Sequence, residues 1–233
     1  MEERLKSRRD SHAQARAEIL QVAARFIARH GYFGMTMRAL ARQRGKALAS
    51  FYNHFSSKED VLFALQTGAF QALIACARDG VALGVTAEGR LHAFILNHVT
   101  YVAENPDIMR VLVHEAGALP PRRRRVVREL KETYFGMARQ IISELMHSER
   151  LPADDAEVDR STYALFGMIN WVWSWYRPRR HGSPREVART LHRILLAGLI
   201  DHDPFRAVQE DVERRMTSVR RAPLIPVEIH GGP

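Results

Sequence analysis

Cysteine is almost missing: Cys76 is the only one in 233 residues, so no intramolecular disulfide can form. It sits in an apolar run, ALIACA, and the expectation is a buried thiol in a reducing cytoplasm. No stretch approaches the roughly 18 consecutive apolar residues of a membrane span. The opening MEERLKSRRD lacks the apolar centre of a signal peptide, so a cytoplasmic location without a membrane partner is expected. Internal repeats are absent, and so is the alternating pattern of strands, apart from a weak PLIPVEI near the end. Signatures of catalysis are missing as well. His114-Glu115 lacks the second histidine of an H-E-x-x-H helix, and His92 and His98 do not share a helical face. Neither a nucleophile elbow nor a phosphate-binding glycine loop occurs. No metal, no cofactor and no enzyme activity are expected.

Acidic residues are scarce beside basic ones, 26 against 35, for a formal charge of +9. Most of the excess lies early: 12 Lys/Arg against 6 Asp/Glu through residue 60. A basic terminal domain favours a polyanion, either nucleic acid or an anionic membrane surface.

What is present is helical periodicity almost throughout. RAEILQVAARFIARHGY spaces Ile19, Val22, Phe26 and Ile27 on one face, and Gly31 is a natural stop. Thr36 can cap a short helix that Gly45 ends, and a second short helix runs through ASFYNHF. Ser56 with Glu59, or Ser57 with Asp60, opens a longer helix through VLFALQTGAFQALIACA. DGVALGVTAEG reads as a turn. RLHAFILNHVTYVAE stops at Asn105-Pro106, DIMRVLVHEAG is short, and a long helix follows Pro121. VDRSTYALFGMINWVWSWY is apolar on nearly every side and is therefore expected to be buried on nearly every side. Ser183-Pro184-Arg185-Glu186 is a capping box for the last strong helix. The expectation is an all-α chain: a helix-turn-helix domain over 1–62, a helical ligand-binding and dimerisation domain over 63–203, and a polar appendage over 204–233.

Two short helices joined by a turn containing glycine form a helix-turn-helix, whose second helix would enter the major groove. Phe51 and Phe55 would then face the core, while Tyr52 and His54 face outward to donate to phosphates. Asn53 could reach a base edge, and Lys58 would add a cation at the start of the next helix.

The features RAEIL, AARFIARHGY, Thr36, Leu40-Ala41, Gly45, FYNHF and SKEDVL run in order and without a gap. Together they resemble the DNA-binding domain of the TetR family of bacterial repressors. The resemblance implies a homodimer released from a palindromic operator by a small-molecule effector. It places Thr36, Tyr52, His54 and Lys58 at phosphates, with Leu48, Ala49, Ser50 and Asn53 toward the bases. Arg38 and Lys46 join this DNA-binding set as added cations. The chain departs from the family pattern at Arg44, Lys46 and Ala47, and Ala47 forfeits a side-chain cap on the recognition helix. The alternative is therefore a dimeric all-α binding protein that has lost sequence-specific recognition of DNA.

LFGMINWVWSWYRP resembles a segment of the branch of the family that regulates fatty-acid and sterol catabolism and senses acyl-CoA thioesters. Phe166, Trp171, Trp175 and Tyr176 would line an apolar site, with Asn170 and Arg177 as polar groups nearby. Arg122, first of four consecutive arginines, would clamp phosphates, although such a run equally suits a solvated face. The tryptophans equally suit a dimer core, and helices 158–176 and 184–200 are expected to form a two-fold four-helix contact.

Overall fold

The computed structural model describes residues 2–84, 86–151, 154–200, 209, 212 and 213. Among these there is no strand. Eleven helices follow in order: α1 Glu2–His30, α2 Met37–Arg44, α3 Leu48–Tyr52, α4 Lys58–Leu83, α5 Ala87–Glu104, α6 Pro106–His114, α7 Pro121–Ser148, α8 Asp155–Asn170, α9 Val172–Trp175, α10 Pro178–His181 and α11 Pro184–Ile200. The appendage and PLIPVEI lie outside the described residues.

Local chemistry sets most of the ends. Gly31 and Gly45 adopt left-handed φ values of 73° and 65°, which a side chain would strain. Thr36 accepts from the Ala39 N–H at 3.1 Å, and Ser57 from the Asp60 N–H at 3.1 Å. Ser57, not Ser56, is therefore the cap of α4. At α11 the box is reciprocal: the Ser183 hydroxyl accepts from the Glu186 N–H, and the Glu186 carboxylate accepts from the Ser183 N–H at 2.6 Å. α3 ends at Tyr52, short of Phe55, because the His54 and Phe55 N–H groups both turn onto the Phe51 carbonyl.

Two apolar cores result. The smaller gathers Ile19, Ile27, Met35, Leu40, Phe51, Phe55, Val61 and Leu62 around α1 to α3 and the start of α4. Phe51 is fully buried, and truncating it to alanine would cost about 3–5 kcal/mol. The larger core joins the rest of α4 to α5, α7, α8 and α11 through Leu73, Leu91, Phe94, Ile142 and Leu165. Lys58–Ala82 is long and apolar enough to cross a membrane by length and composition, but here its apolar residues fill both cores.

Three expectations from sequence need correction. DGVALGVTAEG is only partly a turn, since α4 continues to Leu83. Cys76 is exposed, because Leu73, Ile74 and Ala77 take the inward face of α4 and leave it outside. The segment 158–176 is neither one helix nor buried all round. It breaks at Trp171, where the Ser174 hydroxyl takes the Trp171 carbonyl at 2.8 Å. Tyr163 and Trp171 are 67% and 55% exposed.

Candidate nucleic-acid interface and effector cavity

The small core holds α2 and α3 as a helix-turn-helix. Gly45 closes α2, and the Lys46 N–H reaches back to the Ala41 carbonyl at 3.1 Å, which fixes the turn. Thr36, Arg38, Lys46, Ala49, Tyr52 and Asn53 are exposed; Leu48, Ser50, His54 and Lys58 are half-buried. Leu48 packs against the small core rather than standing free. His54 does not face outward as expected. Its ring lies 4.3 Å from that of His12, its Nδ1 is buried without a partner, and burial lowers its pKa, with His12 and Arg16 adding to the effect. The Lys58 ammonium sits 4.7 Å above the Tyr32 ring.

The departures noted in sequence have distinct structural fates. Arg44 turns back onto α1, where it pairs with Glu18 and donates to the Ala15 carbonyl at 3.3 Å. Lys46 is exposed, so its charge is hydrated. Ala47 provides no side-chain cap for α3. Phe33, 80% exposed in the turn before Thr36, went unread in sequence, although its place between Gly31 and Gly34 marks a turn tip.

Head and body meet through Val111, Leu119 and Val127, which belong to the small core, and through polar contacts. The Glu115 carboxylate accepts from the Tyr32 N–H at 3.0 Å, and the Tyr32 hydroxyl donates to Glu59 at 3.1 Å. Burial, and then the Glu59 carboxylate, push the Tyr32 phenol pKa up. Arg123 pairs with Asp60 and lies over the Phe63 ring at 5.3 Å. Burial alone would raise the Asp60 pKa, but hydrogen bonds from Arg123 and Ser57 overcome it and hold the carboxyl below its usual range.

Within the body, α4 to α8 surround a cavity of about 620 Å³. Phe70 and Leu73 of α4, Met109 and Leu112 of α6, Val127 and Phe135 of α7 and Phe166 of α8 make its walls largely apolar. Phe166 stacks on Phe135 at 5.5 Å between ring centres and meets Tyr134 edge-on at 5.7 Å. Gln66 and His98, each 1% exposed, reach the cavity from α4 and α5. The exposed rim includes Val113, Tyr163, Gly167 and Trp171, together with Arg124, Arg128 and Lys131 on one face of α7.

Of the ligand residues expected from sequence, Phe166, Asn170 and Trp171 line this cavity, while Trp175, Tyr176, Arg177 and Arg122 do not. Beyond the break at Trp171 the chain turns away, and Trp175 packs edge-on to His181 at 5.1 Å. Arg177 donates to the Tyr176 carbonyl at 2.7 Å. The arginine run divides by helical position: Arg123 turns to Asp60, Arg124 to the cavity, and Arg125 to Glu129 at 3.7 Å. Arg124, Arg128 and Lys131 recur at helical spacing, a signal readable in sequence but obscured by the adjacent run. Gln66, the one polar residue in VLFALQ, was a second unread signal.

Residues 19–65 match the family described as bacterial regulatory proteins, tetR family, and residues 84–199 match the tetracyclin repressor-like C-terminal domain. The chain belongs to the TetR family. That family consists of DNA-binding regulators rather than enzymes. Within it, the chain is 22% identical over 183 residues to the fatty acid metabolism regulator protein of Bacillus subtilis, covering 78% of this chain and 94% of that one. It is 25% identical over 185 residues to the HTH-type transcriptional repressor KstR2 of Rhodococcus jostii, covering 79% and 90%. Against the repressor AcnR of Corynebacterium glutamicum it is 41% identical over only 56 residues, 24% of this chain and 30% of that one. The crystal structure of AibR in complex with isovaleryl coenzyme A and operator DNA superposes with a TM-score of 0.68 over 77% of this chain and 97% of that one, at 21% identity, a likeness of fold.

Proposed function

We propose that this TetR-family protein is a dimeric repressor that leaves a palindromic operator when an apolar effector with an anionic end, an acyl-CoA, fills the cavity. The carrying observation is the combination of a largely apolar, partly open cavity with Arg124, Arg128 and Lys131 on its exposed edge. About 620 Å³ suits an acyl group or small ring system, leaving the phosphates of a CoA at the rim. Guanidinium groups suit those phosphates. The relative named for fatty acid metabolism and the AibR complex with isovaleryl coenzyme A support the same class. Arg124 and Arg128 thus take the clamping role that sequence assigned to Arg122.

On the DNA side, Thr36, Arg38, Lys46, Tyr52 and Lys58 would hold phosphates, with Ala49, Ser50 and Asn53 toward the bases and Leu48 partly so. His54, half-buried against His12, would contribute through its place beside Tyr52 more than through its ring. Dimerisation would use α8 and α11. Tyr163, Ala164, Gly167 and Trp171 on one, and Thr190, Ile194, Ala197 and Gly198 on the other, are exposed at helical spacing. A Cβ added at Gly167 or Gly198 would meet nothing within 4 Å, so a partner helix could approach closely. A domain boundary inside α4 and a cytoplasmic location complete this reading.

The second reading, binding without sequence specificity, draws on the uncapped start of α3 at Ala47. The effector reading is tested by DNA release with an acyl-CoA and with the free acid of the same chain. Release by the thioester at much lower concentration supports the rim clamp. Equal potency removes Arg124 and Arg128 from ligand binding, and release by neither removes the acyl-CoA assignment.

A further inference from the structure

Two polar side chains inside the cavity are buried without full hydrogen bonding. Gln66 and His98 are each 1% exposed, and Gln66 Oε1 and His98 Nε2 have no partner among the described residues. Leaving such atoms unmet costs about 1–3 kcal/mol each. An apolar cavity built only for hydrocarbon would carry neither.

Their hydrogen-bonding sense can be worked out. Gln66 Nε2 donates to the Glu115 carbonyl at 3.0 Å. Flipping the amide would set two oxygens against each other, so Oε1 must be the free atom, and it can only accept. His98 Nδ1 lies 3.0 Å from the Tyr134 hydroxyl, whose only partner among the described residues this is. We assign the Tyr134 proton to Nδ1, the arrangement that leaves neither the hydroxyl proton nor Nδ1 unmet. Complete burial of His98 keeps its ring neutral, so the remaining proton sits on Nε2, which donates. Two side chains of the cavity wall thus hold one unmet acceptor on α4 and one unmet donor on α5.

A hydroxyl both donates and accepts. From these two unmet atoms we infer that the effector carries hydroxyl chemistry on its apolar part, one hydroxyl or two, donating to Gln66 Oε1 and accepting from His98 Nε2. A lone thioester or ketone carbonyl would satisfy His98 but leave Gln66 unmet, and a saturated chain would satisfy neither. The inference rests on the cavity being the effector site, as proposed above.

The test is calorimetric titration of the full chain with CoA thioesters of straight-chain and ring-bearing acids, each paired with hydroxylated partners at several positions. Matched free acids are run in parallel. At least one hydroxylated member should bind about tenfold or more tighter than its parent, because a site built for a hydroxyl rejects the analogue lacking it. In Gln66→Met and in His98→Phe, checked for folding by circular dichroism, that ratio should collapse toward one. The parent should bind no worse than to the wild type in at least one variant. Parents that bind the wild type as tightly as every hydroxylated partner would overturn the inference, and ordered water would then meet both atoms. If no thioester binds, the acyl-CoA assignment fails by itself, and the free acids still decide the hydroxyl preference.

Discussion

Removing the Glu115 carboxylate tests how the C-terminal helical domain holds the helix-turn-helix head. Glu115 ends α6 and accepts from the Tyr32 N–H at 3.0 Å. Tyr32 is 2% exposed and follows Gly31, whose left-handed turn sets the path from α1 to α2. In Glu115→Ala the Tyr32 N–H stays buried with no acceptor. Losing a hydrogen bond to a charged group in this way costs about 1.5–3 kcal/mol. For a chain of this size that corresponds to a fall in Tm of about 3–12 °C. Glu115→Gln keeps an acceptor oxygen and should lose less than half as much, since a neutral bond is about half as strong. The assay is thermal and urea unfolding of the three proteins at one protein concentration, because a dimer melts in a concentration-dependent way. An alanine variant within about 0.5 kcal/mol of wild type would refute the reasoning. A glutamine variant as weak as alanine would show that charge, not the bond, matters.

Lys58→Ala should weaken DNA binding about equally on all sequences and reduce the salt slope by about 1, which anisotropy titrations at several salt concentrations will show; an unchanged slope would leave Lys58 as a partner of Tyr32 alone. Ile194→Asp should convert a dimer to a monomer in light scattering at micromolar concentration, and a dimeric variant would move the interface off α11. Stability should fall as pH drops from about 6.5, because burial lowers His98 to about 3 while an unfolded histidine takes up a proton. The loss between pH 6.5 and 5 is about 2 kcal/mol from this group. Urea unfolding of His98→Phe should show a shallower decline, and an equal slope would contradict the burial argument.

The helix-turn-helix was legible because its signals are local. Gly31, Thr36, Gly45 and Ser57 each set a boundary through their own backbone or hydroxyl chemistry, and all four do so in the fold. The cavity was legible only in part, because it depends on helices distant in sequence. Phe166, Asn170 and Trp171 were found, since they share the turns next to α7. Trp175 and Arg177 were misplaced because the break at Trp171 and the extended backbone at Tyr176 leave no mark in the apolar pattern. Arg122 was chosen over Arg124 because a run of four identical residues hides which one faces inward. That is settled by the phase of α7 against α4, fixed in part by Arg123 on Asp60. His98 and Gln66 gave no linear signal of their pairing, because only the packing of α4 on α5 brings them to one cavity.

The central claim, a sequence-specific repressor, is tested most directly by comparing DNA fragments of equal length and composition. Anisotropy at physiological salt should show the region upstream of the protein's own gene binding at least about a thousandfold tighter than its scrambled counterpart. The bound complex should be a dimer on a palindromic site. Equal affinity for both fragments, falling together and steeply with added salt, would contradict the account and leave a TetR-fold protein that holds DNA only through its charge.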